Sequence, residues 1–141
     1  GGGIVPVSAM VSTWPVLGVL HPGQHGSTFG GNPLACAVGR EVVAMLRTGE
    51  YQARARALGE RLHGRLAGLP SSVVSSVRGR GMWAGLEFAS LSGREVCERL
   101  AARGVLAKET HGTVIRLAPP LIISQDDLDW GLDRIEDAIP A

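Results

Sequence analysis

The sequence predicts a mixed α/β fold, and two kinds of local pattern lead to that prediction. Apolar residues recur at helical spacing in four stretches, which begin near residues 33, 51, 92 and 124. Short segments rich in β-branched or alternating residues lie between and before them and predict strands. The resulting order is strand, helix, helix, strand, strand, helix, strand, strand, helix, which is an α/β arrangement. The 141 residues are enough for one core of ordinary domain size.

The N-terminal part predicts one strand, one loop and one helix. Residues 4–11 are rich in β-branched residues and predict a strand, placed at a sheet edge or strand start because of Pro6. Residues 14–23 begin with Trp14-Pro15 and end with Pro22-Gly23, and these helix- and strand-breaking Pro and Gly residues predict a loop. A helix should begin at Pro33, after Asn32 as its N-cap, and end at Thr48 and Gly49.

The remaining elements follow in order from hydrophobic spacing and end signals. A helix over residues 51–69 precedes strands at 73–77 and 82–88, with a turn at 78–81. Ser92 begins a helix that runs to about residue 103, strands follow at 105–108 and 113–117, and Ser124 with Asp127 begins the last helix. Two sets of residues should face the core: Leu58, Leu62, Leu66 and Leu69 in the first of these helices, and Leu128, Leu132, Ile135 and Ile139 in the last.

Charge is distributed unevenly along the chain. The formal net charge is +1, so electrostatics give no reason to expect nucleic acid or a membrane surface as a partner. No Asp, Glu, Lys or Arg precedes Arg40. Such a stretch is typical of a protein interior, and it predicts a piece of a larger protein or half of an obligate assembly. The alternative is a small domain whose N-terminal loop happens to lack charge.

Several common functional motifs are absent from the sequence. There is no P-loop, dinucleotide fingerprint or Gly-x-Ser-x-Gly elbow. Cys36 and Cys97 lack metal-ligand spacing, so we expect no metal site and two free, partly buried thiols in a reducing cytoplasm. Proline and glycine interrupt the uncharged run over residues 4–20, which argues against a signal peptide or membrane span.

Residues 25–34 are the first candidate binding site. Gly26, Gly30 and Gly31 permit close backbone approach, Ser27 and Thr28 offer hydroxyl donors, and a helix N-terminus follows. Free amides and the positive end of a helix dipole favour an anion such as phosphate. The same composition also describes an ordinary glycine-rich turn into a helix.

Arg116 is the second candidate, because it lies between Ile115 and Leu117 in an apolar run. A guanidinium in such a place needs a partner. The partner could be a carboxylate in a structural salt bridge, or the carboxylate of a substrate held in a fork geometry.

Five motifs occur in order across nearly the whole chain: Pro-Val-Ser-Ala (6–9), His-Gly-Ser-Thr-Phe-Gly-Gly-Asn-Pro-Leu (25–34), Val-Arg-Gly-Arg-Gly (77–81), Leu-Ala-Lys-Glu-Thr-His-Gly (106–112) and Ile-Arg-Leu-Ala-Pro-Pro-Leu (115–121). Together they resemble the C-terminal part of class III aminotransferases that use pyridoxal phosphate, in the ornithine aminotransferase branch. The resemblance implies a portion of a fold-type I transferase. Residues 1–49 would end the large cofactor-binding domain, residues 50–70 would form a connecting helix, and residues 71–141 would form the small C-terminal α+β domain.

The resemblance also implies roles for particular residues. Ser27 and Thr28 match the pair that reaches the cofactor phosphate of the other subunit. Arg116 matches an arginine of the substrate pocket, which pairs with a glutamate or takes the α-carboxylate of glutamate and 2-oxoglutarate. The implied reaction moves the δ-amino group of ornithine to 2-oxoglutarate and gives glutamate semialdehyde and glutamate.

The lysine that forms the Schiff base with pyridoxal phosphate in this family is not in the chain. It is expected just before Gly1, whereas Lys108, the single lysine present, matches a non-catalytic position. We therefore expect no catalytic residue here, cofactor binding only with a complementary chain or subunit that carries the lysine, and no activity alone. The resemblance therefore implies that the chain works as part of a homo- or hetero-oligomer whose substrate is a small amino acid. The alternative is a non-catalytic remnant or interaction module that pairs with an intact aminotransferase.

Overall fold

A computed structural model describes residues 1–139. The fold is α/β and consists of two compact units. The first unit is Gly1–Gly49 and the second begins at Glu50. The predicted α/β class is confirmed. Within residues 1–139, no helix combines the length and apolarity that crossing a bilayer requires.

The first unit contains two helices, α1 (Trp14–Leu17) and α2 (Pro33–Arg47). The Asn32 side chain accepts a hydrogen bond from the Ala35 amide at 2.9 Å, so Asn32 caps α2 and Pro33 starts it without losing a needed donor. At the other end, Gly49 adopts a φ of +78°. The predicted start and end of this helix are confirmed.

Two predictions for the first unit are wrong. Residues 4–11 form no strand, because a strand needs a neighbour to pair with and every described strand lies in the second unit. Residues 14–23 are not loop throughout, since α1 forms one helical turn with Pro15 in its first turn, where proline costs no hydrogen bond. Most of this unit is exposed, and Ala35 is its one buried residue.

The second unit is a four-stranded antiparallel sheet covered on one face by three helices. Its strands are β1 (Val74–Arg80), β2 (Trp83–Phe88), β3 (Lys108–Thr110) and β4 (Val114–Leu117), in the spatial order β1-β2-β4-β3. The helices are α3 (Glu50–Ala67), α4 (Gly93–Ala101) and α5 (Gln125–Ala138). Their apolar faces and the inner sheet face form one core, which includes Leu62, Leu66, Leu86, Phe88, Val96, Leu100, Ile115 and Leu132.

The predicted N-caps and apolar positions of the helices in this unit agree with the structure. The Ser92 and Ser124 hydroxyls accept hydrogen bonds from the amides of Glu95 and Asp127, three residues on, so both predicted N-caps are confirmed. Leu58, Leu62 and Leu66 of α3 are buried, as are Leu128, Leu132, Ile135 and Ile139 at the C-terminus, whereas Leu69 is only partly buried.

The first turn of the sheet and the bounds of β3 differ from their predicted places. β1 continues through Arg80, because Arg78 pairs with Gly85 and Arg80 with Trp83, so residues 78–80 are strand rather than turn. β3 begins at Lys108 instead of residue 105 and extends to Thr110. The turn after it lies at His111 and Gly112, which have φ values of +52° and +72°.

Ion pairs join α3 to α5. Arg61 pairs with Asp129, and Arg65 reaches both Asp133 at 2.8 Å and Glu136 at 2.7 Å. The hydrogen bond from Arg61 holds the pKa of Asp129 below its ordinary value. The charged face of α3 therefore does more than face solvent, because it connects two helices across the surface.

Candidate functional site

The loop over residues 25–34 lies in the first unit and presents its hydroxyl groups to solvent. Ser27 Oγ accepts a hydrogen bond from the Gly30 amide at 2.9 Å, which leaves its own O–H able to donate. Thr28 is exposed, and its hydroxyl has no hydrogen-bond partner within residues 1–139. Gly31 has a φ of +71°, a conformation that glycine adopts without strain.

The backbone donors of this loop are less available than the sequence suggested. The Gly30 amide bonds to Ser27, the Asn32 amide to the Phe29 carbonyl, and the Ala35 amide to the Asn32 cap. Pro33 has no N–H at all. Two of the nine amides over residues 25–34 are therefore bonded within residues 1–139, and the other amides remain as donors beside the two hydroxyls.

Arg116 lies in β4 of the second unit, on the sheet face opposite the helices. Ile115 and Leu117 point into the core, whereas the Arg116 side chain is exposed. Its apolar neighbours therefore do not force a partner on Arg116, because alternate residues of a strand face opposite sides. Within residues 1–139 no carboxylate pairs with Arg116. Of the two alternatives for Arg116, the described residues do not supply the structural salt bridge.

A groove of about 460 Å³ lies beside Arg116 on the open sheet face. Arg78 and Arg116 flank Gly85, which has no side chain to fill the space between them, and Trp83 and His111 lie at its margins. This volume is in the range of small-molecule sites. An exposed guanidinium beside such a groove can take a carboxylate in a two-point geometry.

Sequence reasoning missed part of this groove. In the sequence, Arg78 and Arg80 are either an anion-binding pair or two solvent-facing residues of a glycine turn, and nothing in it marks Gly85. The signal that joins them is the strand register, which sets Arg78, Gly85 and Arg116 in one row. Ser27 and Thr28 lie in the first unit and Arg116 in the second, so the two candidate sites belong to different units.

The two cysteines are free and differ in environment. Cys36 is exposed on α2, contrary to the expected partial burial, and Cys97 is half-buried on α4. Burial raises the pKa of the Cys97 thiol. Among residues 1–139, no three His, Cys, Asp or Glu side chains are grouped closely enough to hold a metal ion.

The fold and motifs match a known enzyme class. The model of the class-III aminotransferase family matches residues 1–139, and the chain belongs to that family. Its relatives include the ornithine aminotransferases of Bacillus subtilis, at 48% identity, and of Bacillus cereus strain Q1, at 46% identity, each over 136 residues. These alignments cover 96% of this chain and 34% of each relative, so the chain spans about a third of the length of the relatives it matches.

Solved structures give the same result. The acetylornithine aminotransferase of Elizabethkingia anophelis superposes with a TM-score of 0.79 at 36% identity, over 92% of this chain and 34% of that one. An ornithine aminotransferase of Toxoplasma gondii, whose active site holds pyridoxal phosphate at partial occupancy, superposes with a TM-score of 0.74 at 38% identity, over 87% and 30%. The predicted resemblance to the ornithine aminotransferase branch, and to a portion of its fold, is confirmed.

Proposed function

We propose that this chain supplies two binding elements of an ornithine aminotransferase-like enzyme. That enzyme would transfer the δ-amino group of ornithine to 2-oxoglutarate and give glutamate semialdehyde and glutamate. The observation that carries the proposal is Arg116, an exposed guanidinium beside an open groove, without a carboxylate partner within residues 1–139, in a chain 48% identical to an ornithine aminotransferase. Arg116 would take a substrate carboxylate and so orient the amino acid or oxo acid.

The residues of the loop at 25–34 fit the phosphate of pyridoxal phosphate. Ser27 and Thr28 each present a hydroxyl to solvent, and a phosphate offers only acceptor oxygens in its dianionic form. We propose that they hold this phosphate on the partner subunit's cofactor. When bound, the cofactor supplies an electron sink for the charge that develops at the reacting carbon.

Lys108 is an unsuitable candidate for the covalent role of a catalytic lysine. It lies exposed on β3, a three-residue edge strand, and its neighbour across the ladder is Arg116. We propose that a segment preceding the matched region, in the same polypeptide or in another chain, supplies the lysine. Residues 1–141 alone should then be inactive.

The exposed apolar surface of the first unit supports the need for that further segment. Trp14 is 82% exposed and Phe29 81% exposed, and other large apolar side chains of this unit are also exposed: Ile4, Met10, Val11, Val16, Val19, Leu20 and Leu34. Covering such a side chain contributes roughly 1.5–3 kcal/mol. We propose that residues 1–49 complete a cofactor-binding large domain, that residues 50–70 connect it, and that residues 71–141 form the small domain.

The same surface also supports a second candidate function. A chain with exposed apolar side chains and no lysine other than Lys108 could pair with an intact aminotransferase without taking part in the chemistry. In that case Ser27, Thr28 and Arg116 would have no effect on the activity of the assembly.

Complementation tests the two candidates. The full chain is mixed with the preceding, lysine-containing segment of the Bacillus subtilis relative, and pyridoxal phosphate is added. We expect visible absorbance from lysine-bound cofactor, a borohydride-trapped lysine, and turnover of ornithine with 2-oxoglutarate. No cofactor capture by a folded mixture would contradict the enzyme proposal, and turnover by the chain alone would contradict the proposed inactivity.

Two variants separate the binding roles in the mixture. Ser27→Ala with Thr28→Val should raise the cofactor concentration needed for half-capture, whereas Arg116→Met should leave capture unchanged and raise KM for 2-oxoglutarate at least tenfold, as loss of a charged hydrogen bond of about 1.5–3 kcal/mol requires. Wild-type behaviour in both variants would favour the interaction module.

A further inference from the structure

Glu87 lies between two arginines on the open face of the sheet. In the strand register Arg78 of β1 and Arg116 of β4 both lie opposite Gly85 of β2, and Glu87 is two residues further along the same strand. Glu87 is therefore a diagonal neighbour of each arginine. Diagonal positions in antiparallel pairs are about 7–8 Å apart, a distance that long side chains span.

Glu87 makes its ion pair with Arg78. Arg78 Nη1 donates to Glu87 Oε2 at 2.7 Å, and the two side chains are 56% and 40% exposed. Arg116 is the other cation within diagonal reach and has no carboxylate partner among residues 1–139. Gly85 places no side chain between Glu87 and Arg116, so a change of rotamer could bring the two together.

Arg116 also has a cation directly opposite on its other side, because Lys108 pairs with it across β3 and β4. Like charges in directly opposed positions repel. A carboxylate at Arg116 relieves that repulsion, whether it comes from a substrate or from Glu87. The chain's own Glu87 is thus a competitor for the position that a substrate carboxylate would take.

We propose that Arg78 is a positioning residue, which holds Glu87 away from Arg116 and so keeps Arg116 open to a substrate carboxylate. This inference rests on the proposed role of Arg116 as a carboxylate-binding residue. Arg78 itself does not contact the substrate in this account. Exposed ion pairs shift equilibria by less than about 1 kcal/mol, so loss of Arg78 should weaken carboxylate binding about two- to fivefold.

The test uses the full chain and the dicarboxylate glutarate, which is followed by NMR of the Arg116 Nε–H signal. Arg78→Met should move this signal before any ligand is added, because Glu87 then pairs with Arg116, and should weaken glutarate binding two- to fivefold. Arg78→Met with Glu87→Gln should restore both the signal and the affinity. Arg80→Met is the matched control, because Arg80 lies on the same strand and makes no ion pair with Glu87.

The possible outcomes separate the two proposals. If the Arg116 signal does not move in Arg78→Met, or if Glu87→Gln fails to restore it, Arg78 has no positioning role. If glutarate binds Arg116→Met as well as wild type, or does not bind wild type, the role of Arg116 in the proposed function is wrong. The ligand-free signal still decides the role of Arg78 in that case.

Discussion

Replacement by alanine should have opposite effects on stability at two glycines of helix α3, Gly59 and Gly64. The Cβ of an alanine at position 59 would lie 2.6 Å from the Gly81 Cα and 2.7 Å from the Gly81 carbonyl carbon and oxygen. At position 64, an alanine Cβ would meet nothing within 4 Å. The first site is a close approach of the helix to the β1–β2 turn, and the second is open.

The expected change in the free energy of unfolding is the balance of helix propensity, which favours alanine, and steric overlap, which opposes it. Alanine is favoured over glycine inside a helix by about 1 kcal/mol. At position 59 the contact is with backbone, which cannot rotate away, and overpacking of this kind costs about 1–3 kcal/mol. His63 Nε2 donates a hydrogen bond to the Gly81 carbonyl oxygen at 3.1 Å, so separating the helix from the turn also loses that bond. We expect Gly59→Ala to destabilise by about 1–2 kcal/mol and Gly64→Ala to stabilise by up to about 1 kcal/mol.

Thermal unfolding of the full chain measures both variants. About 1 kcal/mol corresponds to a shift of about 4–8 °C for a folding unit of fewer than 100 residues. Gly59→Ala should lower the midpoint by at least that amount, and Gly64→Ala should raise it or leave it unchanged. Equal stabilisation by the two substitutions would show that α3 does not approach Gly81 closely, and the packing argument would be refuted.

Three further predictions concern acid stability, thiol chemistry and the core. Arg61 lowers the pKa of Asp129, so the stability that the ionised carboxylate contributes is complete above about pH 4 and is lost as the pH falls through the lowered value. Arg61→Met should therefore flatten the fall in melting temperature between about pH 5 and 2. An unchanged profile would contradict this. Burial raises the pKa of Cys97, whereas Cys36 is exposed, so a disulfide reagent at pH 8 should modify Cys36 first. Cys36→Ser should leave a single slow phase of thiol modification. Two equal rates in the wild type would disagree with the structure. Phe88→Ala should destabilise by about 3–5 kcal/mol in urea, and a small change would mean that Phe88 is outside the core.

The elements that sequence reasoning located correctly depend on local interactions. Asn32, Ser92 and Ser124 each accept a hydrogen bond from an amide three residues on, so a few neighbouring residues are sufficient to begin each helix. The leucine stripe of α3 likewise follows from helical periodicity alone. The resemblance motifs are also continuous segments, which is why the family could be inferred from them.

The errors concern pairing between distant residues. A β-branched segment at residues 4–11 has the composition of a strand, yet a strand exists only where another supplies its hydrogen bonds. The apolar neighbours of Arg116 predict that it needs a partner, and only the sheet shows that its side chain lies on the open face. The ion pairs of Arg61 and Arg65 join residues that lie 68 to 71 positions apart in the chain, and the sequence of neither helix predicts them.

By itself the sequence determined helices α2 to α5, the N-caps of three of them, the family and the residue types of the two candidate binding elements, because each depends on contiguous residues. The tertiary structure alone decided which of those residues meet. It placed Arg78 and Arg116 on either side of Gly85 and put Glu87 within reach of both. The physical reason is that strand register is set by turns, core packing and long-range hydrogen bonds together, so no local pattern specifies it.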